Sequence, residues 1–455
     1  MTGMNTNKEL FEDAPVSKAV ALMAIPTMVS MLVVVIYNMA DTFFIGQTGD
    51  PLQVAAVSLA TPVFMIFMAL GNLFGIGGSS AISRALGEKR IRRAGNTSSF
   101  CCYGSLGLGV IVAVISVVCM NPILKLIGAS ANTIDYAREY LTCIAVGAPF
   151  VIFATAFANI LRGEGAARES MIGNLIGTIV NIILDPVMIL WLGWGVFGAA
   201  LATVIGNIAA CIFYLQYFAR KKSNLSIRPK DFKMGENIAL GVAAIGVPAS
   251  LNNILMSCAN IVLNLALVGY GDTPVAAMGV ALKSNMLVVL LQIGLCAGIQ
   301  PLIGYNYGAR NKKRLIQVFR FTGICAVIMG TVLTVVMMIA RRYLIQIFIN
   351  DPEVIAYGIK MVIALQLSGP FIGILFLCIN TIQGMGKALP SLILTICRQG
   401  LIFIPSIIIL NRVFGLDGVI YAQPVADYLS IIIGIIICVG LFKSIEHREK
   451  EEEAA

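Results

Sequence analysis

The stretch SMIGNLIGTIVNIILDPVMILWL, Ser170 to Leu192, decides the fold. At about 1.5 Å per helical residue it crosses the roughly 30 Å hydrocarbon core of a bilayer. Its one charged group is Asp185, followed at once by Pro186 and preceded by the amides of Asn174 and Asn181. A second apolar run, VIYNMADTFFIG from Val35 to Gly46, also carries an aspartate, Asp41. Such runs recur through all 455 residues, of which 58% are hydrophobic and 12% charged, far from the balance of a soluble domain. The chain reads as an all-α polytopic membrane protein with twelve transmembrane helices between residues 18 and 442. The first lies near 18–45, the fifth near 170–192, the tenth near 355–381 and the eleventh near 390–411.

Charge placement orients these helices. Most of the 32 Lys and Arg fall in the head, the even-numbered loops and the tail, with the largest clusters at 84–93, 220–233 and 310–320. By the positive-inside rule both termini are expected in the cytoplasm and the protein in the plasma (inner) membrane. The net charge of +9 then faces anionic lipid, and nucleic acid is not expected as a partner. Residues 1–17 lack the basic start, apolar middle and cleavage site of a signal peptide, so the first helix is expected to persist.

The halves echo each other. Pro26 and Pro248, VAA at 54–56 and 275–277, Gly87 and Gly308, RGEGAAR from 162 and QGMGKAL from 383, and GVFGAA from 195 and GLDGVI from 415 follow in one order, about 221 residues apart. Duplication of a six-helix unit gives two parallel repeats related by a pseudo-two-fold axis along the membrane normal. The expected divisions are a head at 1–17, an N-lobe at 18–219, a basic linker at 220–237, a C-lobe at 238–442 and a tail at 443–455. The linker, RKKSNLSIRPKDFKMGEN, reads as a solvated loop that orients the protein.

Acidic residues inside the membrane are expensive and point to function. Only Asp41, Asp185 and Asp427 lie within apolar runs. Asp427 shares its half with Lys283 and Arg398, which offer it partners. Asp41 and Asp185 have no intramembrane base in their half. Asn181 stands four residues before Asp185 on the same helical face, and Pro186 frees a carbonyl one turn earlier. An amide, a carboxylate and a freed carbonyl together suit a small cation or a proton.

Other chemistries find little support. The eleven cysteines lie in or beside apolar runs, CxxC is absent and His447 is the one histidine, so a zinc site or catalytic triad is not expected. GYGD at 269–272 falls in a short loop, away from the membrane position an intramembrane aspartyl protease requires. The glycine-rich runs Gly71–Gly87 and Gly294–Gly308 lack a phosphate-loop ending and read as close helix packing. The protein is not expected to be an enzyme and needs no cofactor.

Taken together, Pro26 with YNMADTFFIG, RGEG after the fourth helix, NIILDP in the fifth and GVFGAALAT opening the sixth resemble the multidrug and toxic compound extrusion (MATE) family, prokaryotic branch. The resemblance runs over roughly residues 15–442. It implies two lobes around a central drug cavity, with cation coupling in the first lobe. Carried over by position, the coupling residues are Asp41, Asn181, Asp185 and Thr203, with Tyr37 and Asn159 in the surrounding network and Pro26 at a bend of the first helix. Na+, if it is the coupling ion, is expected at Asp41, Asn181 and Asp185. The seventh helix carries Asn252 and Asn253 where some branches carry acids. Lys283, Arg398 and Asp427 remain as candidate C-lobe cavity charges. The expected activity is efflux, by a monomer, of lipophilic and cationic small molecules in exchange for H+ or Na+. The alternative is a flippase for a lipid or lipid-linked precursor.

Overall fold

The computed structural model describes residues 9–220, 223–235, 237–347 and 351–454. The first eight residues of the head, Lys221, Lys222 and Glu236 of the linker, and the His447 side chain lie outside the described residues. Among the described residues the regular structure is helical throughout, without a strand. Eleven helices among these residues are long and apolar enough to cross a membrane.

In chain order the main helices are α1 (Val16–Gly46), α2 (Pro51–Gly87), α3 (Ile91–Val118), α4 (Ile134–Gly163), α5 (Ala167–Trp191), α6 (Gly195–Ala219) and α7 (Ile238–Val268). They continue with α8 (Asp272–Gly308), α9 (Lys312–Gln346), α10 (Pro352–Gln366), α11 (Ile372–Gly384), α12 (Ala388–Phe414) and α13 (Leu416–Ala454). Local chemistry sets the starts. Asp50 accepts from the Leu52 amide at 2.9 Å with Pro51 in the first turn, and Asp351 accepts from Glu353 and Val354 at 2.8 and 3.1 Å with Pro352 behind it.

The expected tenth span, 355–381, departs from a single rod. It is two helices, α10 and α11, separated at Leu367–Phe371. Pro370 has no amide hydrogen and disfavours helical geometry at Gly369, so the ladder stops there. The Ser368 carbonyl accepts from Phe371 and Ile372 at 3.0 and 2.8 Å, and Ser368 is only 4% exposed. Broken backbone at membrane depth is tolerated where protein surrounds it.

By internal contacts the chain forms two units, Val29–Asn253 with the residues before Pro15, and Pro15–Met28 with everything from Ile254. The dividing points fall inside α1 and α7, shortly after Pro26 and Pro248. In the first unit one core gathers Phe74, Ile82, Phe153, Phe157 and Tyr214, and another gathers Ile45, Phe67, Leu141, Ile144 and Val196. In the second, Leu267, Ala281, Met361, Phe403, Ile407 and Val419 pack together. Its α8 takes the start of α1 against glycines: a Cβ at Gly298 would lie 2.6 Å from the Ala24 Cα. The glycine-rich runs thus serve close packing.

The linker is not a solvated loop along its middle. Leu225 is buried in the first unit's core, Ser99 and Tyr103 donate to the carbonyls of Arg228 and Ile227 at 2.8 and 3.0 Å, and Phe232 stacks on Phe100. Leu225, Ile227 and Phe232 supply the apolar anchors that a count of its charges overlooks.

Candidate functional site

Five of the sequence-derived site residues meet inside the first unit. Tyr37 and Asp41 stand one turn apart on α1, as do Asn181 and Asp185 on α5, and Thr203 faces them from α6. The Tyr37 hydroxyl lies 3.1 Å from the Thr203 hydroxyl. The Asn181 amide nitrogen donates to Asp185 at 3.3 Å and reaches the Thr203 hydroxyl at 3.5 Å. Asp185 is fully buried, Asn181 and Thr203 are 2% exposed, and Asp41 is 9% exposed.

Local geometry explains the meeting. Gly177 and Gly206 bring the backbones of α5 and α6 together, because a Cβ at Gly206 would fall 2.6 Å from the Gly177 carbonyl and 3.2 Å from the Asn181 Cβ. Asp185 is the last α-helical residue before a π-helical segment, Pro186–Trp191. That segment begins where Pro186 withdraws its hydrogen bond, and such bulges recur at functional sites.

The site is short of donors. Asp41 Oδ1, Asn181 Oδ1 and Asp185 Oδ2 are buried with no hydrogen-bond partner among the described residues. Buried acceptors left in this state carry a desolvation cost that a bound cation or proton removes. The two carboxylates also act on each other electrostatically. Oxygen atoms from carboxylate, amide and hydroxyl suit a hard cation, and the carboxylates equally suit protons.

The sequence reading missed Tyr140. It is 5% exposed near the start of α4 and stands within electrostatic reach of Tyr37, Asp41 and Asp185. Asn159 is placed elsewhere, about 28 Å further along the same helix at about 1.5 Å per residue. There it donates to Asn72 at 3.3 Å and to the Thr155 carbonyl at 2.8 Å, and accepts from Arg162. Pro26 sits within the unbroken α1, where Thr27 Oγ1 donates to the Met23 carbonyl at 2.8 Å.

Two of the three second-half charges form one buried group. Arg398 Nε pairs with Asp427 Oδ1 at 3.2 Å, and Asp427 also accepts from Ser368 and Gln423, both at 2.9 Å. The Arg398 guanidinium lies 4.9 Å from the Phe376 ring centre, a cation–π contact. Arg398 occupies a second π-helical segment, Cys397–Ile402. Lys283 is exposed on α8.

Apolar helices in two related halves, with donor-poor carboxylates buried in the first, define a polytopic membrane transporter. The MatE profile matches residues 26–187 and matches again at 248–409, so each half carries one copy. The chain belongs to the MatE family. It is 34% identical over 427 residues to the multidrug export protein MepA of Staphylococcus saprophyticus, covering 94% of each chain. The protein of the same name from Staphylococcus aureus is 36% identical over 432 residues, again covering 94% of each. A solved MATE structure in complex with MaL6 superposes with a TM-score of 0.92 at 27% identity, over 97% of this chain and 99% of that one.

Proposed function

We propose that the protein is a secondary active efflux transporter that exports lipophilic, cationic drugs or metabolites in exchange for H+ or Na+ by alternating access. The observation that carries this reading is the trio of buried acceptor oxygens on Asp41, Asn181 and Asp185 without a donor among the described residues. The multidrug export proteins to which the chain is similar support the substrate class.

In the proposed cycle the coupling cation enters from outside and neutralises Asp41 and Asp185. Asn181 orients Asp185 through its amide nitrogen, while Thr203 and Tyr37 hold each other and close the site laterally. Neutralisation relieves the stranded acceptors and lowers the affinity for a cationic substrate, which leaves outward. The loaded protein resets, releases the cation inside and takes up substrate again. Pro26 is the bending point of α1, and the two lobes are residues 18–219 and 238–442. The protein works as a monomer in the cell membrane, with both termini and the basic loops in the cytoplasm. Arg398 is already paired with Asp427, which weighs against its serving a lipid-linked pyrophosphate.

Efflux of a fluorescent lipophilic cation from proteoliposomes, under an imposed pH gradient or Na+ gradient in turn, tests the reading. One gradient should drive the wild type, and Asp41→Asn or Asp185→Asn should abolish that drive. Undiminished gradient-driven efflux by both variants would exclude these aspartates from coupling.

A further inference from the structure

Arg398 is only 7% exposed, yet its pairing inside the second unit is incomplete. A guanidinium carries five N–H donors in a planar fork, and burial makes each one costly to leave without an acceptor. Asp427 Oδ1 takes the Nε hydrogen at 3.2 Å. The donors on Nη1 and Nη2 have no acceptor among the described residues, and 9% of the side chain stays accessible. Asp427 is itself divided, since Oδ1 also accepts from Gln423 and Oδ2 from Ser368, both at 2.9 Å. It therefore holds the guanidinium from one side without closing its end.

The surroundings fix that open end. Phe376 lies against the guanidinium with its ring centre 4.9 Å away, a contact that occupies a face and leaves the in-plane donors at the edge. The backbone that carries Arg398 is the π-helical segment Cys397–Ile402, a geometry that recurs at functional sites. An open pair of Nη donors matches a carboxylate through two parallel bonds. Several negative charges on one group, as on a pyrophosphate, would be repelled by Asp427. A carboxylate adds a single charge, and in a zwitterion the ligand's own cation balances it.

We propose that the Nη edge of Arg398 binds the carboxylate of zwitterionic amphiphiles, so that compounds carrying both a cation and a carboxylate are taken in preference to their esters. The inference rests on the export reading and narrows its substrate class. A simple anion such as acetate shares the carboxylate but lacks the apolar body whose burial adds to affinity.

Tetramethylrhodamine, with its free carboxylate, and its methyl ester differ at that group alone. Fluorescence polarisation with the detergent-purified full chain, in the absence of any gradient, compares their binding. The wild type should bind the acid about tenfold more tightly than the ester, the worth of one charge-assisted pair, and millimolar acetate should leave that preference in place. R398K keeps the charge, loses the planar fork and should lose most of the preference. R398M/D427N removes both charges, should bind the two dyes alike, and carries the test if R398K does not fold. A merely structural arginine would change both affinities together and leave their ratio intact. An acid bound no better than its ester by the wild type, a preference that survives in the folded variants, or one erased by acetate would each overturn the proposal. Failure of the export reading shows separately, as neither dye leaving proteoliposomes under either gradient.

Discussion

Gly206 sets how near Asn181 comes to Thr203. Gly206→Ala should therefore lower stability by about 1–3 kcal/mol through overpacking, read as a lower melting temperature in detergent, and should weaken ion-driven efflux by pushing Asn181 aside. An unchanged melting temperature would show that the helices have room to spare. Outside the membrane, Glu164 is buried at the end of α4, where it accepts from Ser223 at 2.7 Å. Burial pushes its carboxyl up to about 7, while Ser223, Tyr217 and the Asn224 amide pull it down and Glu169 adds a small upward push. A raised acid favours the folded, protonated form. Its contribution is full below the ordinary carboxyl range near 4.5 and is lost as pH rises through about 7. Glu164→Gln should thus flatten the pH dependence of amide protection at residues 223–228, which in the wild type should fall as pH rises from about 4.5 to about 7 and level off above it. At this scale Asp41 and Asp185 stand out in the sequence because a charge in an apolar run has few bland explanations. Tyr140 does not, because a tyrosine near a helix end is the ordinary residue of the membrane interface.

Helices are legible from apolar length, but their interruptions are less so. Ser368, Gly369 and Pro370 mark the break between α10 and α11, yet a proline inside a span is compatible with an unbroken helix, as Pro26 and Pro248 show in α1 and α7. What distinguishes the break is tertiary: Ser368 donates to Asp427, which Arg398 and Gln423 also hold. No local pattern encodes that group, because its members come from the break after α10, from α12 and from α13. Removing one side strands a buried charge, so Arg398→Met should cost about 3–5 kcal/mol, and the double variant R398M/D427N should recover much of that loss. Thermal unfolding of the single and double variants measures both. Additive losses would mean that the pair does not act as a unit. The linker gives the same lesson: its charges speak for solvent, while Leu225 and Phe232 dock it on the first unit.

Duplication is the most legible feature of the whole molecule: the two copies of the family profile take in every repeated motif except GVFGAA and GLDGVI, which begin just past them. The exchange of packing partners within α1 and α7 is not legible, since covalent order alone assigns each helix to its own half. Energetics constrain what the molecule has to couple. A hundredfold outward gradient costs about 2.7 kcal/mol, and moving a monocation out against about 100 mV costs roughly 2.3 more. One entering cation cancels the electrical cost alone, whereas two carboxylates offer room for a second. The central claim is that Asp41 and Asp185 hold the ion that substrate displaces. Ion release on substrate addition tests it most directly, read as protons in weakly buffered solution and as bound radioactive Na+ in parallel, for the wild type and for D41N/D185N. The account predicts release of one of the two ions from the wild type and none from the double variant. Equal release from both proteins, or none from the wild type at saturating substrate, would contradict it.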